Sequence, residues 1–235
     1  NMVELNQFKN ALPHLNKAIQ QQPESFEAQF YLGLTLFRLD RSADAIAPLK
    51  KAVKINSDSS ITFNYLGQTY QKLKMFPEAI SSYKQATRID PKFTDAYNQL
   101  GTLYIFQKNY GMAIKMFQGA VQSNQKFQSG YFNLGMIYEI LGRYPEAIEQ
   151  YNNILALNPD HQKALFNLGW VMMDENRFME AIPPLKHAIS LNPENTDAHY
   201  SLGLVFGKLK RYQDAQEQYH KILKLDPNHT EAYER

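Results

Sequence analysis

The six histidines of this chain are the side chains best suited to hold a metal ion or to move a proton near neutral pH. A metal site on one helix needs two imidazoles at His-x-x-x-His or His-Glu-x-x-His spacing. Neither spacing occurs among the six, which are His14, His161, His187, His199, His220 and His229. The 235 residues include no cysteine, which excludes a thiolate nucleophile and sulfur-ligated zinc. We therefore expect no metal ion and no cofactor.

One segment has a superficial likeness to a phosphate-binding loop. That motif needs four residues between its glycines and a hydroxyl residue after its lysine. Gly203 and Gly207 enclose only three residues, and Leu209 follows Lys208. No spacing singles out a serine, histidine and acid set or a pair of catalytic carboxylates, and mixed acids on helices are usually solvated. We expect no catalytic residues and a protein that is not an enzyme.

The strongest pattern in the sequence is a repeat that would position any functional side chain. A leucine-glycine pair recurs six times at intervals of 34 residues, and an alanine follows each glycine by twelve residues. The glycines are Gly33, Gly67, Gly101, Gly135, Gly169 and Gly203, and the alanines are Ala45, Ala79, Ala113, Ala147, Ala181 and Ala215. Small residues in fixed register are required for close contact between helices, so each repeat predicts one helical hairpin.

The two helices of a repeat have separate signals. Around the glycine, apolar residues recur at spacings of three and four, as Tyr97, Leu100 and Tyr104 do, which indicates one helix face. The second helix is predicted to open near a proline such as Pro77 and to end before a later proline such as Pro91.

Helix ends and bends are predicted from single residues. Thr94 and Thr196 are expected to cap the first helices that follow them. We also expect helical residues to begin almost at Asn1, because residues 1–25 align with the second half of a repeat. Four prolines inside second helices predict bends: Pro13, Pro48, Pro183 and Pro184.

The unit resembles the tetratricopeptide repeat family, whose 34 residues carry Leu-Gly, Tyr, Ala, an aromatic residue, Ala and Pro at fixed offsets. The resemblance implies an all-α fold, a right-handed α-solenoid superhelix of helix-turn-helix units. Its first helices would line a concave, peptide-binding groove. We expect a single array over 1–235, with a partial repeat at 1–25 and the start of a further helix at 230–235. The complete repeats are predicted at 26–59, 60–93, 94–127, 128–161, 162–195 and 196–229.

Charge and hydropathy limit the kind of partner. The 25 basic and 23 acidic residues give a net charge of +2 without runs of one sign, which does not favour nucleic acid. No stretch approaches 18 apolar residues, so we expect no direct membrane insertion. A protein or peptide partner is expected. A homo-oligomer is an alternative, because both ends fall inside a repeat and would leave the array uncapped, with apolar surface exposed.

The groove wall is predicted from the residues three before and one after each glycine, which share a helix face. In the fourth to sixth repeats these residues, joined by Met173, are apolar: Phe132, Met136, Phe166, Trp170, Tyr200 and Leu204. Large rigid rings and methionine are typical of binding hot spots, so we expect this row to bind a peptide. The alternative is that these side chains pack laterally and only complete the array.

Carboxamides suggest a second binding mode on the same wall. In the second and third repeats the wall carries Asn64, Gln68, Asn98 and Thr102, and Asn133 and Asn167 precede later leucine-glycine pairs. Such side chains both donate and accept hydrogen bonds, and could hold a peptide by its backbone. Asn133 and Asn167 partially resemble the asparagine ladder of O-GlcNAc transferase repeats.

The sequence thus predicts a noncatalytic protein-protein interaction scaffold that binds a peptide segment in its groove. Two alternatives are a substrate-recruiting module of a larger enzyme, such as a glycosyltransferase, and a self-assembling scaffold. His199 occupies the aromatic position of its repeat, and we expect it to be a core residue with satisfied hydrogen bonds rather than a ligand.

Overall fold

The computed structural model describes residues 2–233, and the side chains of 6–233. Within that range the chain forms fourteen helices and no strand, which confirms an all-α repeat solenoid. The chain divides into two compact units, Asn1–Asn124 and Gln125–Arg235, named unit 1 and unit 2 below. Inside each unit, helices that follow one another in sequence also pack on one another. Assignment of the whole chain to a single array stays a prediction.

Unit 1 contains seven helices, of which α2, α4 and α6 are the first helices of their repeats. The helices are α1 (Met2–Gln21), α2 (Phe26–Arg38), α3 (Ser42–Ile55), α4 (Ser60–Lys72), α5 (Phe76–Ile89), α6 (Thr94–Phe106) and α7 (Tyr110–Ser123). The start of α1 at Met2 confirms the expected early helix, and Asn1 lies outside the described residues.

Unit 2 begins with a first helix, and α8, α10 and α12 are the first helices of its complete repeats. Its helices are α8 (Gln128–Ile140), α9 (Tyr144–Leu157), α10 (Gln162–Asp174), α11 (Phe178–Leu191), α12 (Thr196–Lys208), α13 (Tyr212–Leu225) and α14 (Thr230–Tyr233). The glycine-lysine segment that resembles a phosphate loop lies inside α12, where its backbone amides belong to the helix.

The repeated glycines and alanines are the contact points of each hairpin. A Cβ on Gly67 would lie 2.7 Å from the Tyr83 ring, and one on Gly135 would lie 2.7 Å from the Tyr151 ring. The repeated alanines have no accessible surface, except Ala215 at 5%. Neither position has room for a larger side chain without a shift of its neighbours. The predicted reason for the repeat is therefore confirmed.

Prolines mark the second helices as predicted, but the predicted caps are wrong. Pro77 and Pro145 lie in the first turn of α5 and α9, and the helices α3 and α11 continue through their internal prolines. Thr94 and Thr196 are the first helical residues rather than caps. The N-cap of α12 is Asn195, whose side chain accepts a hydrogen bond from the Ala198 amide, and the N-cap of α6 is Phe93. A shift of one residue determines which residue is the cap. Only the residue just before the first helical residue can accept a hydrogen bond from the backbone amide of the third helical residue.

The turn inside each hairpin uses one residue in the left-handed region. In the fourth repeat this residue is Gly142, with φ of 66°, and the amide of Arg143 bonds back to the Tyr138 carbonyl at 2.8 Å. This pattern satisfies the last carbonyls of the first helix. The equivalent residues elsewhere are not glycine: Asp40, Lys74, Lys108, Asn176 and Lys210.

Candidate functional site

The site residues expected from the sequence fall on the first helices of unit 2, and six of them form what we call the apolar wall. α8, α10 and α12 each contribute the residue three before and the residue one after the repeated glycine. These two positions are four residues apart, so they lie on one face of their helix. The apolar wall consists of Phe132, Met136, Phe166, Trp170, Tyr200 and Leu204.

Exposure separates the two positions of the apolar wall. Met136 is 40% exposed and Trp170 is 39% exposed, so both present a large apolar surface to solvent. Phe132, Phe166 and Tyr200 are only half-buried. The position after the glycine is therefore the one with free contact area.

The aromatic residues before the glycine are engaged with the core. The Phe132 ring lies edge-on to the Tyr151 ring at 6.0 Å and 6.1 Å from the His161 ring. Tyr200 lies 6.0 Å from Tyr219 and 5.9 Å from His229. Phe166 and Met173 also pack against the core of unit 2. These contacts are the lateral packing considered as the alternative, and they leave each side chain only half-buried.

Leu204 has a different setting from Trp170, its equivalent in the preceding repeat. It lines a cleft of about 640 Å³ between α12, α13 and α14, together with Tyr212 and Tyr219. Its side chain is half-buried. The contact surface of the apolar wall is therefore centred on Met136 and Trp170.

The predicted asparagines divide between the two units. In unit 2, Asn167 donates from Nδ2 to the Tyr151 hydroxyl at 3.1 Å, and Asn133 is half-buried. In unit 1, Asn64 is only 4% exposed, and Asn98 is half-buried. The Oδ1 atoms of Asn64 and Asn98 are buried without a hydrogen-bond partner among the described residues.

Two acids beside the apolar wall were not singled out by the sequence. Glu139 follows Met136 by three residues on α8, and Asp174 follows Trp170 by four on α10. The Glu139 Oε1 atom is buried without a hydrogen-bond partner among the described residues. Burial raises the pKa of Glu139, the Tyr151 hydroxyl partly opposes this, and the charge of Asp174 raises it further. Burial also raises the pKa of Asp174.

A chain of polar groups fixes one side of Glu139. The Tyr151 hydroxyl, on a side chain without accessible surface, accepts from Asn167 and so directs its own hydrogen to the Glu139 carboxyl. Burial, together with this carboxylate, raises the pKa of Tyr151. The phenol therefore stays protonated and donates at neutral pH.

Unit 1 has a neutral version of this arrangement. Gln71 occupies the repeat position of Glu139, and its Oε1 accepts from the Tyr83 hydroxyl at 2.8 Å. The signal that could have identified Glu139 is this exchange of an amide for an acid at one register position. A single glutamate on a helix is usually solvated. The replacement of glutamine by glutamate can therefore be interpreted only once the structure shows Tyr151 beside Glu139.

Two of the histidines have structural roles, as expected for His199. His199 is 3% exposed, with Nδ1 2.8 Å from the Gln218 Oε1 and Nε2 3.1 Å from the Pro193 carbonyl. His161 caps α10 by accepting from the Ala164 amide. Among residues 6–233, no group of three or more His, Asp or Glu is placed to hold a metal ion. No helix in the described part of the chain is long and apolar enough to cross a membrane.

Family models match most of the chain in successive pieces. Tetratricopeptide repeat models match residues 75–108, 94–127, 129–161 and 196–229. A model described as anaphase-promoting complex, cyclosome, subunit 3, matches residues 4–86. Among curated protein sequences, none matches this chain significantly.

Solved structures share the fold at low sequence identity. The C-terminal part of a TPR repeat-containing protein from Cytophaga hutchinsonii is 18% identical with a TM-score of 0.84, over 97% of this chain and 94% of that one. YrrB, described as a TPR protein with an unusual peptide-binding site, is 22% identical with a TM-score of 0.71, over 79% and 96%. MamA is 25% identical with a TM-score of 0.63, over 69% and 95%. From its repeat register, its hairpins and these matches, the chain belongs to the tetratricopeptide repeat family.

Proposed function

We propose that this protein is a noncatalytic interaction scaffold, and that unit 2 binds a peptide segment of a partner protein on the apolar wall. The observation that carries the proposal is the exposure of Met136 and Trp170 at equivalent positions of adjacent repeats, at 40% and 39%. An exposed indole and an exposed thioether at these equivalent positions provide the rigid and the adaptable parts of a hot spot.

The family and its neighbours support this function. Tetratricopeptide repeats are in general noncatalytic modules that bind protein partners. YrrB, a fold neighbour, is described as having an unusual peptide-binding site. Asn133 and Asn167 border the wall, and the remaining amide hydrogens could hold a peptide backbone beside the apolar contacts. A module of a larger enzyme and a self-assembling scaffold stay predictions.

A selection of random peptides displayed on phage, using the full chain as bait, tests the proposal. Peptides enriched by the wild type are synthesised with a fluorophore, and their dissociation constants are measured by fluorescence polarisation. Trp170→Ala and Met136→Ala should each weaken binding by about tenfold or more, as truncation of a hot-spot residue does. Circular dichroism checks that both variants keep the helical content of the wild type.

Met179→Ala is the matched control, because Met179 is 64% exposed on α11, away from the apolar wall. Its removal should leave every dissociation constant unchanged. The proposal fails if the wild type enriches no peptide, or if Met179→Ala weakens binding as much as Met136→Ala.

A further inference from the structure

Negative charge lies beside the two most exposed side chains of the apolar wall. Glu139 shares a face of α8 with Met136, and Asp174 shares a face of α10 with Trp170. The charge of Asp174 contributes to the raised pKa of Glu139. This inference rests on the proposed function, since it concerns the kind of peptide that the same wall takes.

The chain itself does not neutralise this charge. Some other acids of unit 2 are paired, as Glu146 is with Arg143 at 2.6 Å and Glu180 with Arg177 at 2.7 Å. Among residues 6–233, neither Glu139 nor Asp174 forms an ion pair, and the Glu139 Oε1 atom is buried without a hydrogen bond. A buried acceptor without a partner raises the free energy of the folded state, and a cation bound nearby would stabilise the charge of the carboxylate.

The chemistry of this donor follows from the charge and from the neighbouring groups. The Tyr151 hydroxyl already serves the half-buried Glu139, whereas Asp174 is exposed, so a ligand reaches this pair of acids from the side of Asp174. A backbone amide would satisfy one acceptor and leave both charges in place. An ammonium or guanidinium group offers several donors and the opposite charge, and the exposed face of Trp170 favours a cation as well.

We propose that the apolar wall binds a peptide segment in which a lysine or an arginine is flanked by apolar residues. The cationic group lies against Glu139 and Asp174, and the flanking side chains lie on Met136 and Trp170. The charges are complementary, and the apolar contacts exclude water from the ion pair, which strengthens it.

The probe is a set of fluorophore-labelled synthetic peptides with identical leucine and phenylalanine flanks and one central residue: Arg, Lys, Gln, Met or Glu. Affinity for the full chain is measured by fluorescence polarisation at moderate and at high salt. We expect the wild type to bind the Arg and Lys peptides about tenfold more tightly than the Gln peptide, with the advantage smaller at high salt.

Glu139→Gln is the decisive variant, because Gln71 shows that glutamine fits this register position with a hydrogen bond from a tyrosine. It should remove most of the preference for Arg and Lys while leaving the affinity for the Met peptide unchanged. Glu149→Gln makes the same change of charge at an exposed residue of α9 and should keep the full preference. Equal affinity of the wild type for the Arg, Gln and Glu peptides would overturn the inference.

Trp170→Ala separates this inference from the function beneath it. If Trp170→Ala weakens all five peptides while Glu139→Gln changes no preference, the charge assignment fails and the proposed function stands. If no peptide of the set binds, or Trp170→Ala has no effect, both fail. Sedimentation measures whether the protein associates with itself. Self-association that Glu139→Gln abolishes and that the Arg peptide does not compete with would assign the apolar wall to a second copy of the chain. This result would also overturn the inference.

Discussion

Units 1 and 2 have the same hairpins and differ on the face of their first helices. In unit 1 the residues three before the glycine include Asn64 and Asn98, and in unit 2 they are Phe132, Phe166 and Tyr200. In both units the repeated glycine packs against a large second-helix side chain, which is a tyrosine in the second, fourth and sixth repeats and a leucine or phenylalanine in the others. We call the contact between the repeated glycine and the second helix the frame. The difference teaches that the repeat register fixes this frame, while a few positions on the face of the first helices can carry different residue types.

The exchange is clearest at the residue four after the glycine. Gln71 in unit 1 and Glu139 in unit 2 both lie against the hydroxyl of a buried tyrosine, Tyr83 or Tyr151. In unit 1 the amide oxygen is satisfied, whereas in unit 2 a carboxylate oxygen is buried without a partner. This position is thus neutral in unit 1 and acidic in unit 2.

The charges around the two positions also differ. In unit 1, Lys72 follows Gln71 directly and pairs with Asp40 at 3.0 Å, so its charge is balanced within the unit. In unit 2, Asp174 adds a second negative charge beside Glu139. On the unit 2 face, two acids that form no ion pair among residues 6–233 therefore accompany the exposed Met136 and Trp170, which is why the proposals concern that unit.

The largest expected effect comes from breaking the frame that the two units share. Gly67→Ala in unit 1 and Gly135→Ala in unit 2 would each place a methyl group 2.7 Å from a tyrosine ring. Each should lower the free energy of unfolding by about 2 kcal/mol, because the buried ring has no free space to enter. Urea unfolding followed by circular dichroism measures the loss, and hydrogen exchange shows which unit opens.

Gly111→Ala and Gly207→Ala are the matched controls, one in each unit. Both glycines are helical, and a Cβ on either would meet nothing within 4 Å. Alanine there should stabilise the helix by up to about 1 kcal/mol. A destabilisation confined to one of the two contact glycines would contradict the claim that both units use the same frame.

Much of this frame could be predicted from the sequence, because its signals are repeated. Gly67 and Gly135 lie at the same offset from Ala79 and Ala147, so a chance match is excluded by repetition. The predicted caps of α6 and α12 were wrong because a cap depends on a single residue, and repetition does not help to place that residue.

The candidate site was predicted only in part, for a related reason. Helix periodicity places Met136 and Trp170 on the wall face, but it does not tell how much of each ring or chain the neighbouring repeat covers. Phe132 shows this limit, since its contacts with Tyr151 and His161 come from two other elements. The burial of the Glu139 carboxyl depends in the same way on groups outside α8.

A reciprocal exchange of Gln71 and Glu139 sharpens the comparison with an intermediate effect. Glu139→Gln should raise the free energy of unfolding at neutral pH by about 1 kcal/mol, because the amide oxygen accepts from Tyr151 without a charge to desolvate. Gln71→Glu should lower it by a similar amount, about 1 kcal/mol, since it places a carboxylate against Tyr83. Equal and opposite changes in the free energy of unfolding, measured with urea, would show that the repeat position determines the effect of the carboxylate in both units.

The pH dependence gives this exchange an independent test. The pKa of Glu139 is raised in the folded state, so its carboxyl favours folding below the pKa of an unfolded glutamate, and this contribution is lost as pH rises through the folded pKa. The stability difference between Glu139→Gln and the wild type should therefore be largest at neutral pH and should close on acidification. A gap that is constant with pH, or one that Glu149→Gln reproduces, would argue against a buried carboxylate at this position.

The smallest expected effect concerns the hairpin turns, where the two units have different residue types but the same backbone conformation. Lys108 in unit 1 has φ of 55°, and Gly142 in unit 2 has φ of 66° at the equivalent position. Lys108→Gly should stabilise unit 1 by about 0.5 kcal/mol, because glycine enters the left-handed region without the penalty of a Cβ. Gly142→Ala should destabilise unit 2 by about 0.5 to 1 kcal/mol through the backbone alone, since its Cβ would meet no atom within 4 Å.

Thermal unfolding of the two single variants and of the double variant measures both effects. Because the turns lie in different units, the double variant should show the sum of the two effects. A clear departure from additivity would mean that the two turns do not act as independent copies of one element.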